Sequence, residues 1–171
     1  MAEKKYCYDY PRPALTVDCV LFGFDEKDLF ILLIERGKPP FQGQWALPGG
    51  FVGENETTET AVQREMKEET NLSGLSLTQL KTYSEPNRDP RHRTVSVVYT
   101  GLVNYKNYAP KAGDDAAKFA WFSIADLPRL AFDHKKIVDD AIDNLSIGLE
   151  KGTYEATYLS AEEIKKVKRL I

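Results

Sequence analysis

Apolar residues along the chain fall into blocks, and the spacing within each block predicts its backbone structure. Two blocks rich in Val, Leu and Phe, Ala14–Phe24 and Leu29–Glu35, are separated by a short polar turn and predict a β-hairpin. Three later blocks, 75–83, 94–103 and 117–122, are also predicted to be strands, the second because it is β-branched and aromatic. These blocks predict five strands in the first 122 residues of the chain.

Helices are predicted between and after these strands. The segment 57–70 contains no Gly or Pro and many strong helix formers. A second helix is expected to begin at Asp133, because apolar residues follow it at helical spacing: Ile137, Ala141, Ile142 and Leu145. Strands mixed with helices predict an α/β fold of the α+β type, in which helices cover a central mixed sheet.

The end of the chain has a helix signal of its own. Ser160 followed by Glu163 is a capping box, in which the serine caps the helix start and the glutamate reaches back. Apolar residues follow as a stripe: Ile164, Val167 and Ile171. We expect all 171 residues to form one domain, with a helical extension at about 150–171.

Composition excludes several classes of protein. With 42% hydrophobic residues and a formal charge of −3, the chain is not expected to be disordered or to attract nucleic acid or anionic membranes. The longest apolar run, 29–34, is far shorter than the roughly 20 residues that cross a bilayer, and no secretory signal is visible. Two cysteines cannot form a disulfide framework, which favours a cytoplasmic location.

The helix predicted at 57–70 has an unusual acidic face. Glu65, Glu68 and Glu69 are spaced i, i+3 and i+4, so their carboxylates share one side of the helix and repel one another. A bound divalent cation would remove this repulsion, and hard ions such as Mg²⁺ prefer carboxylate oxygens. The alternative is a solvated acidic face paired with Arg64 and Lys67.

The surroundings of these glutamates favour the metal interpretation. Gly50 is followed after five residues by Glu56, and after seven more by the run 64–72, Arg-Glu-Met-Lys-Glu-Glu-Thr-Asn-Leu. This spacing resembles the Nudix box, and the preceding Trp-Ala-Leu-Pro-Gly-Gly-Phe at 45–51 is also typical of that family. Asn71 stands where the family has Gly, but Asn is a good substitute in a left-handed helix end.

Resemblance to the Nudix family implies an α/β/α sandwich and hydrolysis of a diphosphate that links a nucleoside to another group. It also implies Mg²⁺ or Mn²⁺ as cofactor, held by the Gly50 carbonyl, Glu65, Glu68 and Glu69. Glu68 and Glu69 would be catalytic, Glu68 as a further ligand or a water-orienting group. Arg64, also assigned to the catalytic set, would hold the carboxylates through an ion pair.

A polar loop after the box suggests the substrate. Residues 84–93 contain Arg88-Asp89-Pro90-Arg91, which resembles a loop of the ADP-ribose pyrophosphatase-like subgroup, as does Leu-Ala-Phe-Asp-His at 130–134. The resemblance implies cleavage of ADP-ribose to AMP and ribose 5-phosphate. Arg88 or Arg91 would bind phosphate and Asp89 ribose hydroxyls. A solvated turn is the alternative for this loop.

Other candidates have two open interpretations each. Asp115 is a candidate acid or base, or part of a Gly-Asp turn. His134 is a candidate base or phosphate-binding residue, or a structural residue at a helix start. Trp45 and Phe51 are assigned to substrate binding by stacking on a base, with core packing as the alternative.

Two other functions compete with this assignment. Some relatives in the subgroup are ligand-sensing regulators of NAD metabolism that carry an extra DNA-binding domain, for which the residues after 148 are expected to be too few. The other competing function is a sanitiser of oxidised nucleoside triphosphates. We expect a homodimer, because relatives are usually dimeric and the Tyr stripe at 6–10 offers apolar surface.

Overall fold

A mixed seven-stranded sheet forms the centre of the protein, seen in a computed structural model that describes residues 8–25, 27–108, 119–152 and 159–171. The strands are β1 Ala14–Phe24, β2 Leu29–Glu35, β3 Trp45–Ala46, β4 Gly49–Phe51, β5 Thr78–Tyr83, β6 Thr94–Asn104 and β7 Phe119–Ser123. The helices are α1 Thr58–Thr70, α2 His134–Lys151 and α3 Ala161–Val167, with a 3₁₀ turn at Tyr105–Tyr108.

The order of the strands explains why the sheet is mixed. The main path runs β3-β2-β1-β6-β5, while β4 pairs with β1 and β7 with β2. Strands β1 and β6 are parallel over their whole length, from Ala14 opposite Thr94 to Phe24 opposite Asn104. The other pairings between the described strands are antiparallel. The predicted central mixed sheet is therefore confirmed.

Strand β1 separates two hydrophobic cores, since successive side chains of a strand point to opposite faces. One core contains Val17, Cys19 and Leu21 with Val62 and Met66 of α1. The other core lies on the opposite face and contains Val20, Phe22, Phe24, Ile137, Val138, Leu145 and Val167. Helices on both faces make the α/β/α sandwich that the resemblance implied.

Helix α1 begins and ends as its sequence predicts. Thr57 is the N-cap, and its hydroxyl accepts from the Thr60 backbone N–H. Asn71 is the C-cap in the left-handed region, with φ 59°, and its N–H donates to Lys67 O. The substitution of Asn for the family's Gly therefore preserves the helix end.

Several predicted boundaries differ from the structure by one to three residues, and β6, for example, ends at Asn104 rather than at 103. Strand β5 begins at Thr78 rather than 75, because Leu75 packs into the α1 core and its carbonyl accepts from the Gln63 side chain. Strand β7 ends at Ser123, one residue later than predicted, and residues 117–118 lie outside the described ranges. The capping box of α3 is confirmed, but Ile171 lies beyond the helix and is 42% exposed.

Across the described ranges, no helix is both long and apolar enough to span a membrane.

Candidate active site

The acidic face of α1 lies against the Gly49-Gly50 segment of β4. The Gly49 N–H donates to Glu69 Oε2 at 2.9 Å. A Cβ on Gly50 would lie 2.3 Å from Glu65 Oε1, so this position has no room for a side chain. Two carboxylates and two glycine backbones therefore meet at one point, between the end of α1 and the sheet.

Arg64 organises the neighbouring carboxylates. Its Nη1 donates to Glu65 Oε1 at 2.6 Å and to Glu68 Oε2 at 3.2 Å. Its Nε and Nη2 form a bidentate pair with Glu56, at 3.1 and 2.7 Å, and Nη2 also donates to the Phe51 carbonyl. Hydrogen bonds to Glu56 and Glu65 raise the pKa of Arg64, whereas Arg64 lowers the pKa of Glu56. The arginine thus contacts carboxylates, as the resemblance implied.

The donor set is chemically suited to a hard divalent cation. Oε2 of Glu65 and Oε1 of Glu69 have no hydrogen-bond partner among the described residues, and the glycine backbone lies beside them. Within the same ranges, no three His, Cys, Asp or Glu side chains are already arranged around one point where an ion would sit. The two glutamates therefore fit Mg²⁺ or Mn²⁺ as part of a set completed by water and phosphate oxygens.

Glu69 has the most perturbed carboxyl group of the acidic set. Burial, helped by the negative charges of Glu65 and Asp18, raises its pKa to about 7, although the Gly49 N–H favours the ionised form. Ionisation of this carboxyl group is unfavourable in the free protein, and a cation bound nearby would stabilise its ionised form.

A pocket opens beside Glu69 and collects charged groups from distant parts of the chain. It is lined by Thr16, Asp18, Ile34, Arg36, Leu47, Gly49, Gly50, Phe51, Glu69, Arg88, Asp89, Arg91, Thr94, Phe132 and His134. Three of the predicted substrate-binding residues of the polar loop are among them. Glu65 and Glu68 lie outside this pocket, on the side of Arg64.

The polar loop reaches the pocket, but its charges are mostly paired within the protein. Arg88 forms a bidentate pair with Asp133, at 2.9 and 2.8 Å, and its side chain is only 5% exposed. Arg91 pairs with Asp89, with 2.6 Å between Nη2 and Oδ2. The backbone N–H of Arg91 also donates to the Asp89 carboxylate. These contacts hold the loop in shape, and they leave the Nη1 atoms of Arg88 and Arg91 without a hydrogen-bond partner among the described residues.

Asp18 is a pocket residue that the sequence did not reveal. It is 8% exposed, and Oδ2 accepts from the Ser96 hydroxyl. Its Oδ1 lies 3.7 Å from His134 Nε2, and Arg88 Nη2 lies 3.9 Å from Oδ2. The signal was weak because a single carboxylate in an apolar strand has no local pattern.

His134 holds the glycine segment from the start of α2. Its Nδ1 accepts from the Leu47 backbone N–H at 2.9 Å, so the neutral ring carries its proton on Nε2, facing Asp18. Burial lowers the pKa of His134. The residue is 4% exposed, and these contacts favour the structural interpretation over a base.

The two candidate aromatic residues differ in position. Phe51 is 45% exposed and lines the pocket, with the Arg91 guanidinium 5.5 Å from its ring centre. Trp45 packs edge-to-face on Phe122 at 4.7 Å against the α2 core and does not line the pocket. For Trp45 the geometry favours the core-packing alternative over a substrate contact, because its ring packs on Phe122 and lies outside the pocket lining. Asp115 lies outside the described residues.

Comparison with known proteins agrees with this geometry. The NUDIX domain model matches residues 12–141. An ADP-ribose pyrophosphatase of Methanocaldococcus jannaschii is 48% identical over 137 residues, which cover 80% of this chain and 77% of that protein.

Two further similar proteins have names or titles that mention ADP-ribose. The ADPR responsive transcriptional repressor NtrR of Acinetobacter baylyi is 34% identical over 81% of this chain, which spans 56% of the repressor. The NUDIX domain of Shewanella oneidensis NrtR, solved in complex with ADP ribose, superposes with a TM-score of 0.72 at 36% identity, over 81% of this chain and 94% of that one. With its box glutamates packed against the Gly49-Gly50 segment, the chain belongs to the Nudix family of hydrolases.

Proposed function

We propose that the protein hydrolyses ADP-ribose to AMP and ribose 5-phosphate in a reaction that depends on Mg²⁺ or Mn²⁺. The observation that carries this proposal is the meeting of Glu65 and Glu69 with the Gly49-Gly50 backbone at the edge of a pocket lined with arginines. The substrate is inferred from the pyrophosphatase relative and from the ADP-ribose-bound neighbour.

The chain supplies the metal ligands and a rigid frame for them. Glu65, Glu69 and the Gly50 carbonyl would hold the ion, with Glu68 as a further ligand or water-orienting group. A bound divalent cation supplies charge neutralisation for the diphosphate and a bound water of lowered pKa. Arg64 fixes Glu65 through its 2.6 Å hydrogen bond, so the carboxylates keep their positions when substrate enters.

A substrate panel tests the proposal. Under one Mg²⁺ condition, kcat/KM is measured for ADP-ribose, other nucleoside diphosphate sugars and 8-oxo-dGTP, with matched reactions in excess chelator. ADP-ribose should be preferred, and every rate should fall to background with chelator. A preference of more than about tenfold for 8-oxo-dGTP would instead support the sanitiser function, since tenfold is 1.4 kcal/mol of discrimination.

A sensing function is the second candidate, because the Acinetobacter baylyi relative is named as an ADPR responsive repressor. The two functions share the ligand and differ in turnover. Tight binding of ADP-ribose with no product in Mg²⁺ or Mn²⁺ would favour sensing. The presence of Glu65, Glu68 and Glu69 favours hydrolysis, since a sensor needs no metal-activated water.

The homodimer belongs to the same proposal. Tyr8 and Tyr10 are 52% and 63% exposed, and the Arg12 guanidinium lies 4.0 Å from the Tyr8 ring centre. This aromatic surface is suited to contact with a second copy. Light scattering at micromolar concentration should give twice the chain mass of 19.4 kDa, and a mass near 19.4 kDa would contradict the dimer. The cytoplasmic location expected from the cysteine content stays a prediction.

A further inference from the structure

Arg36 differs from the other arginines of the site in having no carboxylate partner among the described residues. Arg64, Arg88 and Arg91 each form an ion pair of 2.8 Å or shorter. Arg36 lines the same pocket just after β2, and among the described residues its side chain donates hydrogen bonds to backbone carbonyls alone. Asp89, Glu69 and Asp18 stabilise its charge only from beyond ion-pair distance. A partly buried guanidinium in this position has much to gain from direct contact with an anionic ligand.

The loop after β2 fixes the direction of this guanidinium. Its Nε donates to Pro40 O at 2.8 Å, and Nη2 lies 3.5 Å from Lys38 O. The ring of Phe132 lies beneath it, with 4.6 Å from the ring centre to the Arg36 Cζ. Two edges of the guanidinium are thereby restrained, and Nη1 is left without a partner in the described structure.

Phe132 is itself held in an uncommon backbone conformation. It adopts φ 53°, and Phe41, which packs edge-to-face on it at 4.8 Å, adopts φ 62°. Left-handed backbone at bulky residues costs of order 1–2 kcal/mol and persists only where surrounding contacts enforce it. The stack of Arg36 on Phe132 is therefore a built feature of the pocket wall.

A second positive charge strengthens the case for an anion. The Arg91 guanidinium lies 5.5 Å from the centre of the same Phe132 ring. Burial, and then the like charge of Arg91, lowers the pKa of Arg36. The ion pair with Asp89 offsets the charge of Arg91, whereas Arg36 has no such pair among the described residues. Arg36 lines the same pocket as Glu69, which belongs to the proposed metal site.

We propose that Arg36 is a substrate-binding residue whose Nη1 donates to a phosphoryl oxygen of the diphosphate, with Arg91 Nη1 as a secondary donor. This inference rests on the proposed diphosphate substrate. A guanidinium suits this role because its planar donors stay charged and match phosphate oxygens. The proposal also changes the roles of the pocket arginines. Arg88 pairs with Asp133 through Nε and Nη2 and holds the loop in place, while Arg36 binds the ligand.

Kinetics of Arg36 variants test the proposal. Losing a charge-assisted hydrogen bond should reduce kcat/KM for ADP-ribose by about 10- to 100-fold in Arg36→Gln. Arg129→Gln removes the same charge from an exposed residue outside the pocket lining and should leave kcat/KM unchanged. In Arg36→Ala, added guanidinium at millimolar concentration should restore part of the lost rate, which a purely structural loss would not allow. Unchanged kinetics in Arg36→Gln, or a loss that guanidinium does not restore, would overturn the proposal.

A binding experiment separates this inference from the proposed function. Calorimetric titration in chelator compares ADP-ribose with adenosine, which lacks phosphate. Arg36→Gln should weaken ADP-ribose binding at least tenfold and leave adenosine binding unchanged. Equal weakening of both ligands would show a general collapse of the pocket and refute the proposal. If the wild-type chain hydrolyses none of the panel, the proposed function fails, while this comparison still decides the role of Arg36.

Discussion

Replacing Glu69 by Gln should change how the stability of the metal-free protein depends on pH. Burial, with Glu65 and Asp18 adding their charges, raises the Glu69 pKa from 4.5 to about 7 in the folded state. Because the carboxyl group of Glu69 has a higher pKa in the folded protein than in the unfolded chain, its protonated form stabilises the fold. That stabilisation is complete below the unfolded pKa and is lost as the pH rises to the folded pKa. The loss therefore falls between about pH 4.5 and pH 7.

The size of the effect follows from the shift. A difference of one pKa unit corresponds to about 1.4 kcal/mol, so a shift of this size destabilises the ionised folded state by about 3 kcal/mol. Gln keeps an oxygen for the Gly49 N–H but carries no charge. The unfolding free energy of Glu69→Gln relative to wild type should therefore rise by about 2 to 3 kcal/mol between pH 5 and pH 8.

Urea unfolding in excess chelator, repeated across this pH range, measures the difference. Glu68→Gln is the matched control, because it removes a charge from the same helix turn where the side chain is 58% exposed, and it should follow the wild type. Adding Mg²⁺ at pH 8 should stabilise the wild type more than Glu69→Gln, because an ion that binds only the folded state stabilises it more the lower its Kd is relative to the ion concentration. A Glu69→Gln difference that is constant with pH would refute the reasoning.

Three further substitutions have specific expected outcomes. Gly50→Ala places a Cβ 2.3 Å from Glu65 Oε1 and should lower kcat at least about tenfold in a steady-state assay, whereas Gly37→Ala, with open space around its Cβ, should not. Asn71→Ala at φ 59° should lose about 1 kcal/mol in urea unfolding, and Asn71→Gly should lose none. His134→Leu leaves a buried backbone N–H without its acceptor and should lower the unfolding free energy by about 1 to 3 kcal/mol; equality with wild type would contradict the structural role.

Local spacing was sufficient to predict the acidic helix. Glu65, Glu68 and Glu69 share a face because a helix repeats every 3.6 residues. Asn71 caps the C-terminus of the same helix through a hydrogen bond to Lys67, four residues earlier. The central strand was also predictable, since Ala14–Phe24 is apolar at nearly every position. Such features depend on neighbours within a few residues, which the sequence displays directly.

The partners of the pocket residues could not be predicted, because they come from distant segments. Asp18 meets Ser96 across 78 residues, and Arg88 meets Asp133 across 45. Arg88 therefore looked as available for phosphate as any other loop arginine. Arg36 was missed for the converse reason. That no described carboxylate pairs with it becomes visible only when the pairings of the other pocket arginines are known.

Product analysis of ADP-ribose incubated with the protein tests the central claim most directly. Chromatography of reactions with Mg²⁺ should give AMP and ribose 5-phosphate in equal amounts, and excess chelator should abolish both. Glu69→Gln should reduce kcat by at least about 10²-fold, as expected when a metal-held electrostatic contribution is lost. Intact ADP-ribose in the wild-type reaction with either Mg²⁺ or Mn²⁺, or equal product with and without chelator, would contradict the account.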